Sequence, residues 1–309
     1  MDSSRNAENG FVAPLVAPPL YRLLNLASNN IFLRPSRDPL PDRVAELLIL
    51  VRRSRDSAEI THDQVRQNQA LENLDGQVKE EAVAAFFQKF VLPATDGPGC
   101  LQGDAKQPMV GCTVPNTVTD FHVSRPIPDM LYGYRLEKAF PDQWVQLMPL
   151  VREVAANNLA HPSLYPFFNI KFKGETGSMW VATNQCLGAS SSCVNIAEDL
   201  NTRLKQCGSN KVIDSTVFSL TTNGSEARLY VSWKHDEVNY YTTTIRRFLL
   251  QESDQYIELC NIIHNIIDWG CGKRLDEIRE SMDILLAADL DEMTTLSKFT
   301  AVTHHTACN

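Results

Sequence analysis

Two short apolar segments carry charged residues at positions where a buried strand normally has none. The first segment, Ile127–Tyr134, is interrupted by Asp129, and the second, Tyr165–Gly174, contains Lys171 and Lys173. Burying an ionised group is costly unless a counter-charge or a metal ion meets it. The fold therefore has to collect these charges in one pocket or leave them at strand ends that reach water.

The length and composition are those of a globular protein. A chain of 309 residues is long enough for one large domain with additions, or for two small domains. A hydrophobic share of 43% with 21% charged residues is typical of a chain that folds around a core. The net charge of -8 argues against a generally basic nucleic-acid-binding surface, although it leaves room for a local basic cleft.

The sequence shows no pattern typical of membrane or exported proteins. No apolar run approaches the roughly 18 residues of a membrane span, and prolines at positions 14, 18 and 19 interrupt the apolar stretch near the start. We therefore expect an intracellular protein, nuclear or cytoplasmic, without membrane attachment. The eight cysteines form no CxxC pair, which favours reduced thiols over a disulfide framework or a zinc site.

Sequence patterning divides the chain into four parts. Residues 1–38 are rich in Pro, Ser, Asn and Arg, and we expect a flexible N-terminal arm there. Residues 39–76 contain apolar positions at helical spacing, which predicts a helical N-terminal extension. The main domain is predicted to span residues 77–290, and residues 291–309 to form a C-terminal tail.

The main domain is predicted to alternate helices and strands. A helix that begins near residue 78 places Glu80 at the edge of an apolar stripe, so that this carboxylate can face inward. Residues 93–116 are predicted to form a long loop, and Asn223-Gly224 marks a hairpin turn. Strands are predicted at 117–123, 127–135, 165–173, 215–222, 226–234 and 238–250, and helices at 179–207, 254–268 and 275–290, with a further helix somewhere within 136–164. This order predicts one α/β domain with helical additions at both ends.

Asp129 and Lys173 suit the chemistry of phosphodiester hydrolysis. That reaction needs a divalent cation held by carboxylates and a positive group near the developing charge. Side chains alternate along a strand, so a lysine two residues after a carboxylate points to the same face. Asp129 supplies a first carboxylate at the bend of one strand. Lys173 supplies the lysine on the neighbouring strand. The second carboxylate is therefore expected two residues before the lysine, at position 171.

The order of these residues resembles the PD-(D/E)XK nuclease superfamily. Pro128-Asp129 is followed by Lys173 on the next strand and by Gln185 on the helix behind it. The likeness is closest to a nuclease-like domain found in many fungal proteins, and it covers roughly residues 75–290. The segments that carry it are Pro128–Tyr134, Tyr165–Gly174, Ala182–Ala189, Leu229–Trp233 and Ile266–Gly270.

The resemblance implies a fold, a reaction and a set of roles. The fold would be a mixed central sheet flanked by helices, and the reaction would be cleavage of nucleic acid with Mg2+ or Mn2+. Asp129 would bind the metal together with Glu80 of the first core helix. Lys173 would stabilise charge or orient the attacking water, and Gln185 would line the pocket.

Lys171 departs from the family pattern, which has Glu or Asp at this position. A lysine removes a ligand and adds a charge that repels the metal. Two interpretations remain open. In one, Glu175, or Glu198 and Asp199 on the following helix, supplies the missing carboxylate and the chain is a nuclease. In the other, Lys171 pairs with Asp129, no cofactor is bound, and an inactive nuclease fold serves as a nucleic-acid or protein interaction module.

Overall fold

A seven-stranded mixed sheet organises the protein in the computed structural model. The structure describes residues 16–288, except 56–59, 77, 96–98, 118, 145–146, 149–153 and 158–161. The strands are β1 (Ile31–Arg34), β2 (Leu101–Asp104), β3 (Met130–Tyr134), β4 (Leu164–Phe172), β5 (Val217–Thr222), β6 (Glu226–Lys234) and β7 (Tyr240–Leu249). Their order across the sheet is β1-β7-β6-β5-β4-β3-β2.

The sheet combines antiparallel and parallel pairs. β2, β3 and β4 form an antiparallel run, and so do β5, β6 and β7. The two runs join through the parallel pair β4–β5, whereas β1 lies parallel to β7 at one edge. The predicted hairpin at Asn223-Gly224 is confirmed, and Gly224 adopts the left-handed φ of 94° that favours glycine in this turn.

Helices cover both faces of the sheet, which confirms the predicted α/β class. Their bounds are α1 (Asp42–Val51), α2 (His62–Arg66), α3 (Gln69–Glu72), α4 (Glu80–Phe90), α5 (Leu136–Ala139), α6 (Met179–Gln206), α7 (Ser253–Trp269) and α8 (residues 275–288). α1 to α3 lie within residues 39–76, where the helical extension is expected. No helix among the described residues is long and apolar enough to cross a membrane.

α6 is the crossover helix between β4 and β5. Its N-cap is Ser178, whose hydroxyl accepts a hydrogen bond from the Val181 backbone N–H at 3.3 Å. Small residues at 188–193 are buried along the helix and let it lie close to the sheet. Asn169 on β4 donates from Nδ2 to Ser190 Oγ at 3.0 Å, which fixes the helix across the strand that carries Lys171.

Aromatic packing fills the opposite face of the sheet. Phe87 of α4 meets Phe172 of β4, with ring centroids 5.7 Å apart. Phe218 of β5 meets Trp269 of α7 edge-on at the same centroid distance. β4 is buried along its whole length, which places Lys171 near its C-terminal end where only paired charges are tolerated, and Lys173 directly follows the strand.

The expectation of a flexible arm over residues 1–38 is wrong for its second half. Residues 31–34 form β1, which pairs in register with β7 from Ile31 opposite Tyr240. Tyr21 and Leu26 are buried in the core. A four-residue strand has too little sequence signal of its own, because it is stabilised by pairing with a segment more than 200 residues away. Residues 1–15 lie outside the described residues.

The strand predicted at 117–123 is also wrong. Asparagine side chains take the backbone groups that a neighbouring strand would use. Asn29 Oδ1 accepts from the Thr117 N–H at 2.6 Å, and Asn116 Oδ1 accepts from the Val123 N–H at 2.9 Å. The strand that pairs with β3 is instead β2, inside the segment predicted to be a loop.

The helix predicted at 136–164 is only partly within the described residues. Leu136–Ala139 forms one helical turn, and Ala155 makes an isolated bridge to Leu164. Residues 145–146, 149–153 and 158–161 lie outside the described residues, as does the predicted tail over 291–309. The helices predicted at 179–207, 254–268 and 275–290 are confirmed to within a few residues at each end.

Candidate functional site

Asp129 lies immediately before β3, where the chain bends into the sheet. Its backbone N–H donates to Ile170 O at 3.0 Å, so the residue is fixed against β4. Asp129 is only 4% exposed. One carboxylate oxygen, Oδ1, accepts from Lys171 Nζ at 2.7 Å, and the other, Oδ2, accepts from the Phe172 backbone N–H at 2.7 Å. Both oxygens of the predicted metal ligand are therefore occupied by hydrogen-bond donors.

Lys171 forms a buried ion pair with Asp129. Its residue exposure is 8%, and its Nζ also donates to Ile127 O at 3.3 Å. One carboxylate oxygen and one backbone carbonyl oxygen therefore accept two of the three hydrogen bonds that the ammonium can donate. Of the two interpretations open from the sequence, the structure contains the contact between Lys171 and Asp129 that the second one requires.

Lys173 pairs with Glu80 instead of facing Asp129. Its Nζ lies 3.1 Å from Glu80 Oε2, and both side chains are partly exposed. Glu80 is the first residue of α4, and the turn after β4 packs directly against this helix start. A Cβ atom on Gly174 would lie 2.7 Å from Val78 O, so this close approach requires glycine.

A cavity of about 460 Å³ adjoins the buried ion pair. Among the predicted site residues, Asp129, Glu80 and Gln185 line it, together with Lys171. Lys173 was expected to share a pocket with Asp129; it does not line this cavity, and Lys171 takes that place. Gln185 lies on α6, and none of the described residues hydrogen-bonds its buried Oε1 atom.

The cavity is also lined by two cationic residues, Lys106 and Arg125, that sequence analysis did not single out. Lys106 follows β2, has a positive φ of 53°, and donates from its backbone N–H to Pro128 O at 3.1 Å. Arg125 precedes the Ile127–Tyr134 segment and donates from Nε to Met109 O. Both are exposed residues. Both sit in irregular loops, where no periodic pattern would have pointed to them.

The segment at residues 16–22, which we call the N-terminal strap, forms one wall of the cavity. Asn184 of α6 donates from Nδ2 to Val16 O at 3.0 Å, and its Oδ1 accepts from Arg22 Nε at 2.8 Å. Tyr21 OH accepts from the Ser124 backbone N–H at 2.9 Å. The strap therefore links α6 to the loop that carries Arg125.

The carboxylates proposed as substitutes for the missing ligand lie elsewhere. Glu175 is exposed in the turn after β4 and does not line the cavity. Asp199 lines a different cavity of about 150 Å³, beside Thr113 and Asn195. Glu198 lies next to Asp199 in α6, three turns beyond Gln185. None of the three joins Asp129.

The residues present do not fit a divalent metal site. Among the described residues no three His, Cys, Asp or Glu side chains are grouped closely enough to hold a metal ion. A cation at Asp129 would also meet the Lys171 ammonium, which already lies 2.7 Å from Oδ1. The expectation of a ligand set built from Asp129, Glu80 and Glu175 therefore has no geometric counterpart here.

Cys186 lies beneath the ion pair and is not a nucleophile candidate. It shares a small, closed space with Lys171 and Gln185. Burial raises the pKa of the Cys186 thiol to about 12, against a smaller opposing effect of the Lys171 charge. The thiol is neutral at physiological pH, and its Sγ lies 3.7 Å from Leu220 O.

These features define a mixed α/β protein with a buried lysine–aspartate pair beside a cation-lined cavity. Residues 59–282 match the family described as Domain of unknown function (DUF7924), and the chain belongs to that family. The matched range contains Asp129, Lys171 and every cavity residue except those of the N-terminal strap. The chain shows no significant similarity to any curated protein.

Proposed function

We propose that this protein has a PD-(D/E)XK nuclease-like core without a working metal site, and that it binds nucleic-acid phosphates at the cavity without cleaving them. The observation that carries this proposal is the contact between Lys171 Nζ and Asp129 Oδ1 at 2.7 Å. In a nuclease of this type position 171 would hold a second acidic ligand. In this protein position 171 holds Lys171, whose ammonium group pairs with Asp129, the residue expected to be the first metal ligand.

The order of elements supports a nuclease-like core. α4 is followed by β2, β3 and β4, and then by α6 and β5. Apart from the helical turn α5 between β3 and β4, this is the helix–strand–strand–strand–helix–strand order expected from the sequence pattern. Asp129 before β3, Lys173 directly after β4 and Gln185 on α6 follow the order of residues that carries the resemblance.

The charge balance supports an anionic ligand. Lys171 neutralises Asp129, and Lys173 lies in ion-pair contact with Glu80. Lys106 and Arg125 then leave the cavity wall positive, although the whole chain carries a net charge of -8. Lysine and arginine side chains are the usual partners of phosphate oxygens in nucleic-acid complexes.

A metal-dependent nuclease is the second candidate function. It is favoured by the convergence of Asp129, Glu80 and Gln185 on one cavity, and by the unpartnered Gln185 Oε1. Against it stand the occupied oxygens of Asp129 and the missing second acid. The two candidates differ in one measurable property, which is cleavage in the presence of Mg2+ or Mn2+.

Fluorescence anisotropy with labelled single-stranded RNA, single-stranded DNA and duplex DNA tests the first candidate. We expect a Kd on the order of 10⁻⁶ to 10⁻⁴ M at physiological salt, weakening as salt rises. The double variant Lys106→Ala/Arg125→Ala should bind on the order of tenfold more weakly and show a salt slope smaller by about 1.4 to 1.8.

A second double variant provides the matched control. Lys138→Ala/Lys205→Ala removes two exposed lysines that do not line the cavity, and it should bind like the wild type. Equal loss of binding in both double variants, or no binding by the wild type, would refute the proposal. Cleavage by the wild type that disappears in Asp129→Ala, measured where that variant is still folded, would instead establish the second candidate.

A further inference from the structure

Two cysteines far apart in the sequence meet at the edge of the sheet. The side chains of Cys100 and Cys271 are in hydrogen-bond contact. Cys100 immediately precedes β2, and Cys271 lies in the helical segment Gly270–Arg274 between α7 and α8. Both residues are half-buried, so small molecules in solution can reach them.

Tyr134 holds the backbone on both sides of this cysteine pair. It is paired with Leu101, the neighbour of Cys100, in the β2–β3 ladder. Its hydroxyl donates to Gly270 O at 2.6 Å, next to Cys271. The Arg135 backbone N–H donates to Cys100 O at 2.9 Å. These three contacts bring the backbone at Cys100 and next to Cys271 to the same end of β3.

The interaction between the two thiols shifts their pKa values in opposite directions. The hydrogen bond from Cys271, with help from the Arg279 charge, lowers the pKa of Cys100 to about 6 against the opposing effect of burial. The same hydrogen bond, together with burial, raises the pKa of Cys271. The lowered pKa favours Cys100 as the attacking sulfur, and the raised pKa favours Cys271 as the thiol that donates to it.

We propose that Cys100 and Cys271 are a redox modification site that forms a reversible intramolecular disulfide by exchange with a low-molecular-weight disulfide such as oxidised glutathione. The Cys100 thiolate attacks one sulfur of oxidised glutathione, and one glutathione thiolate leaves. Cys271 loses its proton as its sulfur attacks the sulfur of Cys100, and the second glutathione leaves. Two protein thiols are oxidised by two electrons, and one disulfide is reduced to two thiols.

The disulfide would tie β2 to the C-terminal helices. It would close a loop of about 170 residues, a length at which a cross-link restricts the unfolded chain strongly. β2 leads directly to Lys106 in the cavity wall, and the Gly270–Arg274 segment carries the buried Arg274, whose Nη1 donates to Tyr165 O at 2.9 Å. The disulfide would therefore restrict the movement of β2, which leads to the cavity wall, relative to the Gly270–Arg274 segment. The proposal does not depend on nucleic-acid binding.

Peptide mapping by mass spectrometry tests this site on the full chain. After incubation with oxidised glutathione at neutral pH and blocking of remaining thiols, we expect one linked peptide pair containing Cys100 and Cys271. Dithiothreitol should release it. The oxidised wild type should melt several degrees higher than the reduced form, and Cys100→Ser and Cys271→Ser should each lose that shift.

Two further variants separate the proposed order of attack from general thiol reactivity. In Cys271→Ser the disulfide cannot close, so a glutathione adduct should accumulate on Cys100. In Cys112→Ser/Cys207→Ser, which removes two exposed cysteines, the linked pair should form as in the wild type. Wild-type adducts on Cys112 or Cys207 without a Cys100–Cys271 peptide would overturn the proposal, and so would a linked peptide that contains any other cysteine.

Discussion

Lys171 Nζ lies 2.7 Å from Asp129 Oδ1, with both side chains at most 10% exposed. The relationship follows from strand geometry. Asp129 enters β3 opposite the end of β4, and its backbone bond to Ile170 O places its carboxylate beside the next side chain on that strand. A group that could serve as a metal ligand is thereby converted into one half of a structural ion pair. The energetics of this pair can be measured directly.

Asp129→Ala should destabilise the protein by about 3–5 kcal/mol, because it leaves the Lys171 ammonium buried without a counter-charge. It also removes the acceptor of the Phe172 N–H. The apolar double variant Asp129→Leu/Lys171→Met should recover most of that loss, since no uncompensated charge remains. Urea denaturation of the wild type and both variants gives the three free energies of unfolding.

The exposed pair Arg246–Glu258 provides a comparison for this measurement. Its side chains are 51% and 39% exposed, so Glu258→Ala should cost less than about 1 kcal/mol. If Asp129→Ala cost no more than Glu258→Ala, the Lys171–Asp129 pair would have to be open to solvent, contrary to the structure.

Lys171→Glu should create affinity for Mn2+ or Mg2+ that the wild type lacks. The substitution removes the ammonium from Asp129 and places a second carboxylate beside it at the cavity. A metal at a hundred times its Kd should then stabilise the variant by about 2.7 kcal/mol. Thermal melting with and without added metal measures this effect, and the wild type should show no corresponding change.

Glu175→Gln in the Lys171→Glu background tests whether the turn carboxylate contributes to that metal affinity. Glu175 is exposed and does not line the cavity, so the metal-dependent shift should remain unchanged. A shift that disappears with Glu175→Gln would place this carboxylate at the metal after all. A wild type that responds to metal as strongly as the variant would contradict the inactive-site interpretation.

Gly174→Ala should destabilise the protein by about 1–3 kcal/mol through overpacking against backbone. The new Cβ would lie 2.7 Å from Val78 O and 3.1 Å from the Glu80 nitrogen, and neither atom belongs to a flexible side chain. Gly111→Ala is the matched control, because no atom lies within 4 Å of a Cβ at that position. Chemical denaturation should show a lower free energy of unfolding for Gly174→Ala and no comparable change for Gly111→Ala.

The elements that sequence analysis predicted correctly have strong local periodicity. β4, α6 and the hairpin around Asn223-Gly224 each combine a continuous pattern with a clear end signal. β1 and β2 are four residues long, and their stability comes from pairing with distant strands. The alternating residues at 117–123 were misleading because the side chains of Asn29 and Asn116 replaced the expected strand partner.

The candidate site was predictable in its membership but not in its pairing. Alternation along the predicted strand 165–173 places Lys171 and Lys173 on one face, yet it does not say which acid each will meet. That depends on where α4 begins and where β3 bends, which are tertiary features. Lys106, Arg125 and the N-terminal strap lie in irregular segments, so only the folded chain brings them to the cavity.

Stability should fall as pH rises between about 10 and 12, in part because of Tyr240. Burial, with a smaller effect of the Glu198 charge, raises the pKa of Tyr240 to about 12. Above pH 10 the unfolded tyrosine loses its proton while the folded one keeps it, so the native state binds more protons and rising pH favours unfolding.

Tyr240→Phe should lose about 1 kcal/mol of stability at pH 7, because the hydroxyl no longer donates to Asn195 Oδ1 at 2.7 Å. The same variant should show a shallower loss of stability from pH 10 to 12, while the two curves run parallel between pH 7 and 9. Denaturation midpoints across this range measure both effects, and equal slopes above pH 10 would mean that Tyr240 does not contribute to the alkaline transition.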